Sequence, residues 1–314
     1  RERGRARPAG AHARAADHHP HGAGLAPRAH VVQQFEPARR QVFCRDGRVF
    51  SYDKLVLATG SYAFVPPIAG NDRENCFVYR TIEDLDAIRA ASLNATSGVV
   101  IGGGLLGLEA AKALRDLNLE THVVEFAPRL MPRQIDEAGA GMLKAKLESL
   151  GLSIHTNKNT TAIEGGEHIE AMSFSDGDRL KTDMLVISAG IKPRDELARA
   201  SGLETGSRGG IIVNEHMLTS DENIFAIGEC ALYNGMIYGL VAPGYEMAEV
   251  VVNRLTGGDK IFTGFDMSTK LKLIGTDVAS FGDPFITGEE VKTIVMEDGL
   301  KGIYKRINIS KDGK

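Results

Sequence analysis

What the chain lacks narrows its chemistry first. It has only three cysteines in 314 residues, Cys44, Cys76 and Cys230, and they stand far apart. They offer no C-x-x-C pair and no zinc-ligand spacing, which excludes a dithiol redox centre and suits a reducing cytoplasm. No apolar run approaches the ~18 residues that a membrane-spanning helix needs. The N-terminus has no apolar h-region of a signal peptide. Basic charge is scarce outside residues 1–40, where eight Arg meet three acids; the remainder holds 29 Lys and Arg against 38 Asp and Glu. An acidic body argues against nucleic acid as a partner.

Large apolar residues are almost missing from residues 1–30, "RERGRARPAGAHARAADHHPHGAGLAPRAH", where Leu25 is the single example. Such a stretch has no core-facing stripe and is expected to be disordered. It reads as a basic arm, as a His-rich metal tract, or as a GC-rich gene translated out of frame or upstream of its true start. Protein-like sequence begins near Val31.

From there, strands alternate with helices, the pattern of an α/β protein. "RQVFCRDGRVF" predicts a hairpin about Asp46-Gly47. "TIEDLDAIRAA" (81–91) is a helix with Thr81 as N-cap and Asp84 three residues on, a near capping box. Further helices are expected at 105–117, 136–151 and 242–258, the last with Pro243 at its start. Residues 160–187 read as a small antiparallel meander, and short strands follow Lys270.

The densest signal is "VVIGGGLLGLEAAKA" (99–113). Gly102, Gly104 and Gly107 satisfy G-x-G-x-x-G between a strand and a helix, the context a dinucleotide site requires. Gly102 permits the tight turn, Gly104 admits a pyrophosphate, and Gly107 lets helix and strand pack closely. The helix N-terminus offers free N–H groups to phosphates. Glu125 lies 23 residues past Gly102, at the end of the next strand "ETHVVEFA" (120–127). Its carboxylate suits ribose hydroxyls and repels a 2′-phosphate, favouring NADH over NADPH, although Arg129 is placed to blunt that preference. Three other apolar strands end in small residues: "LVLATGS" with Ala58, Thr59 and Gly60; "VISAGIKPRDEL" with Gly190; and "TSDENIFAIGECA" with Gly228 and Glu229. Ends of this kind let a flat cofactor approach the backbone. His155 and His216 read as structural rather than catalytic.

In this order the four segments resemble the pyridine-nucleotide:disulfide oxidoreductase superfamily, the two-dinucleotide flavoprotein reductases. "YDKLVLATGS", "FAIGECA", "YGLVAPGYEMA", "STKLKLIGTDVASFGD" and "KGIYKRINIS" resemble more narrowly the large subunits of NAD(P)H-dependent assimilatory nitrite reductases. The resemblance covers residues 31–314. It implies a Rossmann-like NAD domain inserted in an FAD domain, followed by a small strand-rich C-terminal domain. The boundaries drawn are 1–30 for the head, 31–91 and 206–262 for the flavin domain, 92–205 for the NAD domain and 263–314 for a truncated C-terminal α+β domain.

Further implications come from the resemblance alone. Glu229 would hold the flavin ribityl chain, and the helix from Pro243 would point its positive end at the flavin. Arg80 would lie near the flavin and Glu109 near the nicotinamide. NADH would reduce FAD, which would pass electrons to an iron centre in a missing C-terminal part or a partner subunit. An iron–sulfur cluster and sirohaem are expected only in the full-length relatives. No catalytic acid or base and no metal ligand is assigned, and a homodimer is compatible with the resemblance. The family's first flavin fingerprint should precede residue 31 and is not found there. Without it, the apolar edges at Leu55–Thr59 and Ile224–Ile227 would be exposed. Two alternatives stay open: a rubredoxin or ferredoxin reductase or NADH oxidase of the same superfamily, and a non-catalytic NAD-binding remnant.

Overall fold

Val99 and Val100, neighbours in the strand Ser97–Ile101, have no exposed surface at all. Successive side chains of a strand point to opposite faces, so both faces of this strand are covered. That is the environment its unbroken apolar run demands. The computed structural model describes residues 14–15, 30–273, 276–288 and 290–311. Its helices are α1 (Ile82–Ser92), α2 (Leu105–Asp116), α3 (Glu137–Ser149), α4 (Glu196–Ala200) and α5 (Val241–Leu255). No helix of the described residues is long and apolar enough to cross a membrane. The chain divides into two compact units: Arg1–Tyr62 with Ile191–Phe265, and Ala63–Gly190 with Asp266–Lys314.

The second unit is built on a five-stranded parallel sheet. Its order is Leu152–His155, Glu120–Val124, Ser97–Ile101, Met184–Ile187, Cys76–Val78. One face packs Val100, Val123 and Val186 against Leu108 and Leu114 of α2 and Leu143 and Leu147 of α3. The other packs Val99, Ile101, Val124, Leu185 and Ile187 against Ile163, Met172 and Phe174. These last residues belong to an antiparallel three-stranded sheet, Thr160–Glu164, Ala171–Phe174 and Arg179–Lys181. Thr81 and Asp84 close a full capping box on α1. Its Thr81 hydroxyl accepts the Asp84 N–H, and the Asp84 carboxylate accepts the Thr81 N–H at 2.8 Å.

The first unit carries the expected hairpin, Gln41–Cys44 with Val49–Ser51, turning through Gly47 at φ +83°. Two parallel pairings follow: Leu55–Leu57 with Ile224–Ala226, and Ile211–Val213 with Ala231–Tyr233. Arg14–Ala15 pairs as a two-residue strand with His30 and Val31. The remainder of the head, residues 1–13 and 16–29, lies outside the described residues.

One expectation differs from what the structure shows. Ile224, Phe225 and Ala226 are at most 2% exposed, so this strand is core rather than an open edge; Val56 across from it is 38% exposed. The nucleotide-type sheet also draws on segments outside 92–205. Cys76–Val78 extends its sheet, and Leu271 is buried among its core residues. Residues 191–205 go to the first unit. Apolar alternation marks a strand but not its neighbour, so the pattern alone does not say which sheet a strand joins.

Candidate functional site

The three fingerprint glycines have different jobs. Gly102 sits at φ +115°, and a Cβ there would lie 2.3 Å from the Ser188 carbonyl oxygen. A Cβ on Gly107 would lie 1.9 Å from the Gly102 oxygen. Both are therefore required by backbone contact. Gly104, the N-cap of α2 at φ −85°, has nothing within 4 Å of its Cβ position. The loop thus leaves open space at one glycine only, beside a helix start with no side-chain cap and no acid in its first turn. The N–H groups of that turn lack intrahelical acceptors, and the helix dipole adds positive potential there.

Glu125 follows the strand Glu120–Val124 and turns its carboxylate back onto this loop. Its Oε2 accepts the Gly103 N–H at 2.6 Å and its Oε1 the Ala127 N–H at 2.7 Å. A carboxylate has about four acceptor positions, so capacity for hydroxyl donors remains. Gly103 is held from its other side as well, its carbonyl accepting the Met131 N–H at 2.9 Å. Phe126, next to Glu125, is 73% exposed. Spacing rules single out neither Gly103, Met131 nor Phe126; an isolated aromatic after the strand-end acid was the one available signal. Arg129 does not stand free to meet a 2′-phosphate. Its Nε donates to the Ile135 carbonyl at 3.2 Å and its Nη2 to that of Pro132 at 3.3 Å, and its guanidinium lies over Phe285.

The remaining residues of the second unit are more scattered. Glu109 is exposed on α2, near enough to Tyr79 that its charge adds to burial in raising the phenol pKa. Arg80 follows the edge strand, its N–H donated to Asp84. Gly190 adopts φ +113°, and its carbonyl accepts the Phe64 N–H at 2.8 Å.

In the first unit, two strand ends come together because Leu55–Leu57 and Ile224–Ala226 are parallel neighbours. Ala58–Gly60 leaves one and Gly228–Glu229 the other. Gly60 (φ +69°) and Gly228 (φ +72°) both have nothing within 4 Å of a Cβ position. Thr59 donates its hydroxyl to the Arg194 carbonyl at 2.5 Å, and Arg194 returns its N–H to Gly60. Ser61 donates to Glu229 Oε2 at 2.7 Å. The start of α5 abuts this point: a Cβ on Gly244 would be 3.6 Å from the Gly228 Cα. That helix also begins without a side-chain cap or a first-turn acid. Each unit therefore presents open glycine backbone, a free helix N-terminus and one glutamate at the C-terminal ends of parallel strands, where α/β sheets bind nucleotides.

His155 and His122 pair through ring nitrogens 3.1 Å apart. Burial, and then the charges of His122, Lys158 and Lys144, push the His155 pKa below its usual value, against a smaller opposing pull from Glu148. A histidine depressed on folding gives stability that is present above its unfolded pKa of about 6.5 and lost as pH falls through the folded value. The urea midpoint should therefore drop between pH 7 and pH 5, and His155→Gln should flatten that drop. Equal pH slopes in the two proteins would remove His155 as its source. The thiols are poorly suited to chemistry: burial raises Cys44 and takes Cys76 to about 11.

These features match known proteins. A family model described as pyridine nucleotide-disulphide oxidoreductase matches residues 13–253. The NADH nitrite reductase large subunit of Escherichia coli (strain K12) is 51% identical over 270 residues, covering 85% of this chain and 32% of that protein. The assimilatory nitrate reductase electron transfer subunit of Bacillus subtilis (strain 168) is 39% identical over 277 residues, covering 88% of this chain and 36% of that protein. Among solved structures, the ferredoxin reductase for the CYP199A2 system of Rhodopseudomonas palustris superposes with a TM-score of 0.80 at 27% identity, covering 90% of this chain and 70% of that one. The chain spans about a third of the length of the first two relatives. Its fold is the two-dinucleotide flavoprotein reductase fold, and the chain belongs to the pyridine nucleotide-disulphide oxidoreductase family.

Proposed function

We propose that this chain is the NADH-oxidising, FAD-carrying module of a cytoplasmic electron-transfer flavoprotein reductase that feeds a nitrite- or nitrate-reducing iron centre. The observation that carries the proposal is the pair of strand-end sites, one in each unit, each with an uncapped helix start and a glutamate. Relatives named as a nitrite reductase large subunit and a nitrate reductase electron transfer subunit support the choice of acceptor. The iron–sulfur and sirohaem chemistry of that acceptor would lie in the further length of such proteins or in a partner subunit.

In the second unit, the open backbone at Gly104 and the first-turn N–H groups of α2 would hold a pyrophosphate. Glu125 would accept hydrogen bonds from the adenosine ribose hydroxyls and repel a 2′-phosphate, which selects NADH. Phe126 offers a ring face to the adenine. In the first unit, Gly60 and Gly228 would let FAD lie against the backbone. Glu229 would hold its ribityl hydroxyls, and the N-terminus of α5 would favour the anionic reduced form. When bound, FAD supplies the hydride acceptance and the conversion from two-electron to one-electron transfer that no side chain can perform. The residues present fit this role by leaving space and donors rather than by supplying an acid or base.

The test is the visible spectrum of the purified chain, before and after FAD reconstitution, followed by anaerobic addition of NADH. Flavin absorption that NADH bleaches and NADPH bleaches more slowly is expected. A chain that takes up no flavin under reconstitution would reduce the reading to dinucleotide binding alone.

A further inference from the structure

Gly103 is the best-held residue of the coenzyme loop, and the turn that holds it is strained. Met131 donates its N–H to the Gly103 carbonyl from a left-handed backbone, φ +46°, although it is a methionine and only 1% exposed. A non-glycine residue in that region persists only when its surroundings over-determine it. Part of the restraint is local. The Met131 carbonyl accepts the N–H groups of Gln134 at 2.9 Å and Ile135 at 3.1 Å, and Arg129 closes the turn on Pro132 and Ile135.

The rest comes from 170 residues away. The next residue, Asp136, accepts the Gly139 N–H at 3.0 Å on Oδ1, which caps α3. Its Oδ2 accepts the Tyr304 hydroxyl at 2.5 Å and Arg306 Nη1 at 2.7 Å. The Tyr304 ring lies against the first turn of α3, so close that a Cβ on Gly139 would be 3.2 Å from it. The same strand, Ile303–Ile309, reaches the other end of the turn. Asn308 donates its side-chain amide to the Pro284 carbonyl at 3.1 Å, and the adjacent Phe285 carries the Arg129 guanidinium 5.7 Å above its ring centre. One strand therefore grips both ends of the segment 129–136.

We infer that the C-terminal strand Ile303–Ile309 sets the geometry of the coenzyme loop, with Tyr304 and Arg306 as positioning residues that act through Asp136 on Gly103. This rests on the proposal that the loop binds NADH. The loop's N–H donors are then ordered before the coenzyme arrives, and that ordering does not have to be supplied by binding. The charge state fits: burial and then Asp136 push the Tyr304 phenol up to about 12, so it remains a donor. Burial works against ionisation of Asp136, but the bonds from Tyr304, Arg306 and Gly139 outweigh it and hold the carboxyl below its usual value.

The test compares the full chain with a Tyr304→Phe/Arg306→Met double variant. Three quantities are read: NADH affinity by titration, NADH turnover with ferricyanide as acceptor, and amide exchange. Expected are a roughly tenfold rise in the NADH Kd (about 1.4 kcal/mol) and a matching rise in KM with kcat unchanged. Peptides covering 102–107 and 129–136 should exchange faster in the variant, and saturating NADH should restore their protection. A merely structural contact would lower the melting temperature without moving Kd, and that outcome overturns the inference. If the double variant does not fold, Asp136→Asn decides by the same ratio, since asparagine still caps α3 but loses the charge that holds Arg306; an unchanged Kd there also overturns it. Failure of the unmodified chain to bind NADH would instead overturn the proposed function.

Discussion

Gly107→Ala should lower the thermal midpoint by roughly 6–12 °C, while Gly104→Ala, three residues earlier, should leave it within about 2 °C of the unmodified chain. The difference is set by what a methyl group meets. At Gly107 it would sit 1.9 Å from the Gly102 carbonyl oxygen and 2.9 Å from its carbon, both backbone atoms of a loop already held by neighbours. Overpacking typically costs 1–3 kcal/mol, and a contact with backbone that cannot rotate away belongs at the upper end, about 3 kcal/mol. In a unit of this size each kcal/mol moves the midpoint by about 2–4 °C. At Gly104 the methyl meets nothing, and φ −85° is ordinary for alanine. The roughly 0.4–1 kcal/mol gained from a less flexible unfolded chain is offset by the poorer N-cap that alanine makes on α2, so little net change is expected. Binding should be affected in both proteins. In the proposed coenzyme site Gly104→Ala puts carbon where the pyrophosphate would approach, and NADH affinity should fall by tenfold or more, about 1.4 kcal/mol. Scanning calorimetry and an NADH titration of the two variants are sufficient. Wild-type affinity in Gly104→Ala would place the pyrophosphate elsewhere.

Glu125→Ala should weaken NADH binding about a hundredfold, about 2.7 kcal/mol, without gaining NADPH. If Glu125 acted by repelling the 2′-phosphate alone, its removal would raise NADPH affinity toward that of NADH. The structure gives it a second task, because its two oxygens hold the N–H groups of Gly103 and Ala127. Removing the carboxylate leaves two donors unpaired at the proposed coenzyme loop, at about 1–3 kcal/mol for a buried group and less where water can replace the acceptor. The loop then loosens for both coenzymes. Glu125→Gln should fall between: its carbonyl can accept one of the two N–H groups, but its amide nitrogen meets the other donor head-on. Parallel titrations with NADH and NADPH decide the matter. A gain of NADPH binding in Glu125→Ala would show that repulsion dominates and that the loop keeps its shape unaided.

The strand, tight turn and helix start around Gly102, Gly104 and Gly107 and the strand end before Glu125 are legible in a short stretch, because such features are decided by residues within a few positions of one another. The capping box at Thr81 and Asp84 and the hairpin at Gly47 are of the same kind. For the same reason the strand-end residues Ala58–Gly60 and Gly228–Glu229 could be picked out separately, but not their adjacency. The hold on Gly103 by Glu125 and Met131 was not legible, nor was the diversion of Arg129 onto Pro132 and Ile135. Both depend on where a loop folds back.

The sequence by itself determined which segments are strands and helices, through side-chain periods of two and 3.6 residues, and where the glycine turns fall. The tertiary structure alone decided that Cys76–Val78 joins the parallel sheet, that Ile224–Ala226 is buried, and that Tyr304 meets Asp136. Local conformation is governed by sterics and hydrogen bonds between near neighbours. Pairing between segments more than a hundred residues apart is governed by which surfaces exclude water together, and many partners satisfy the same apolar pattern.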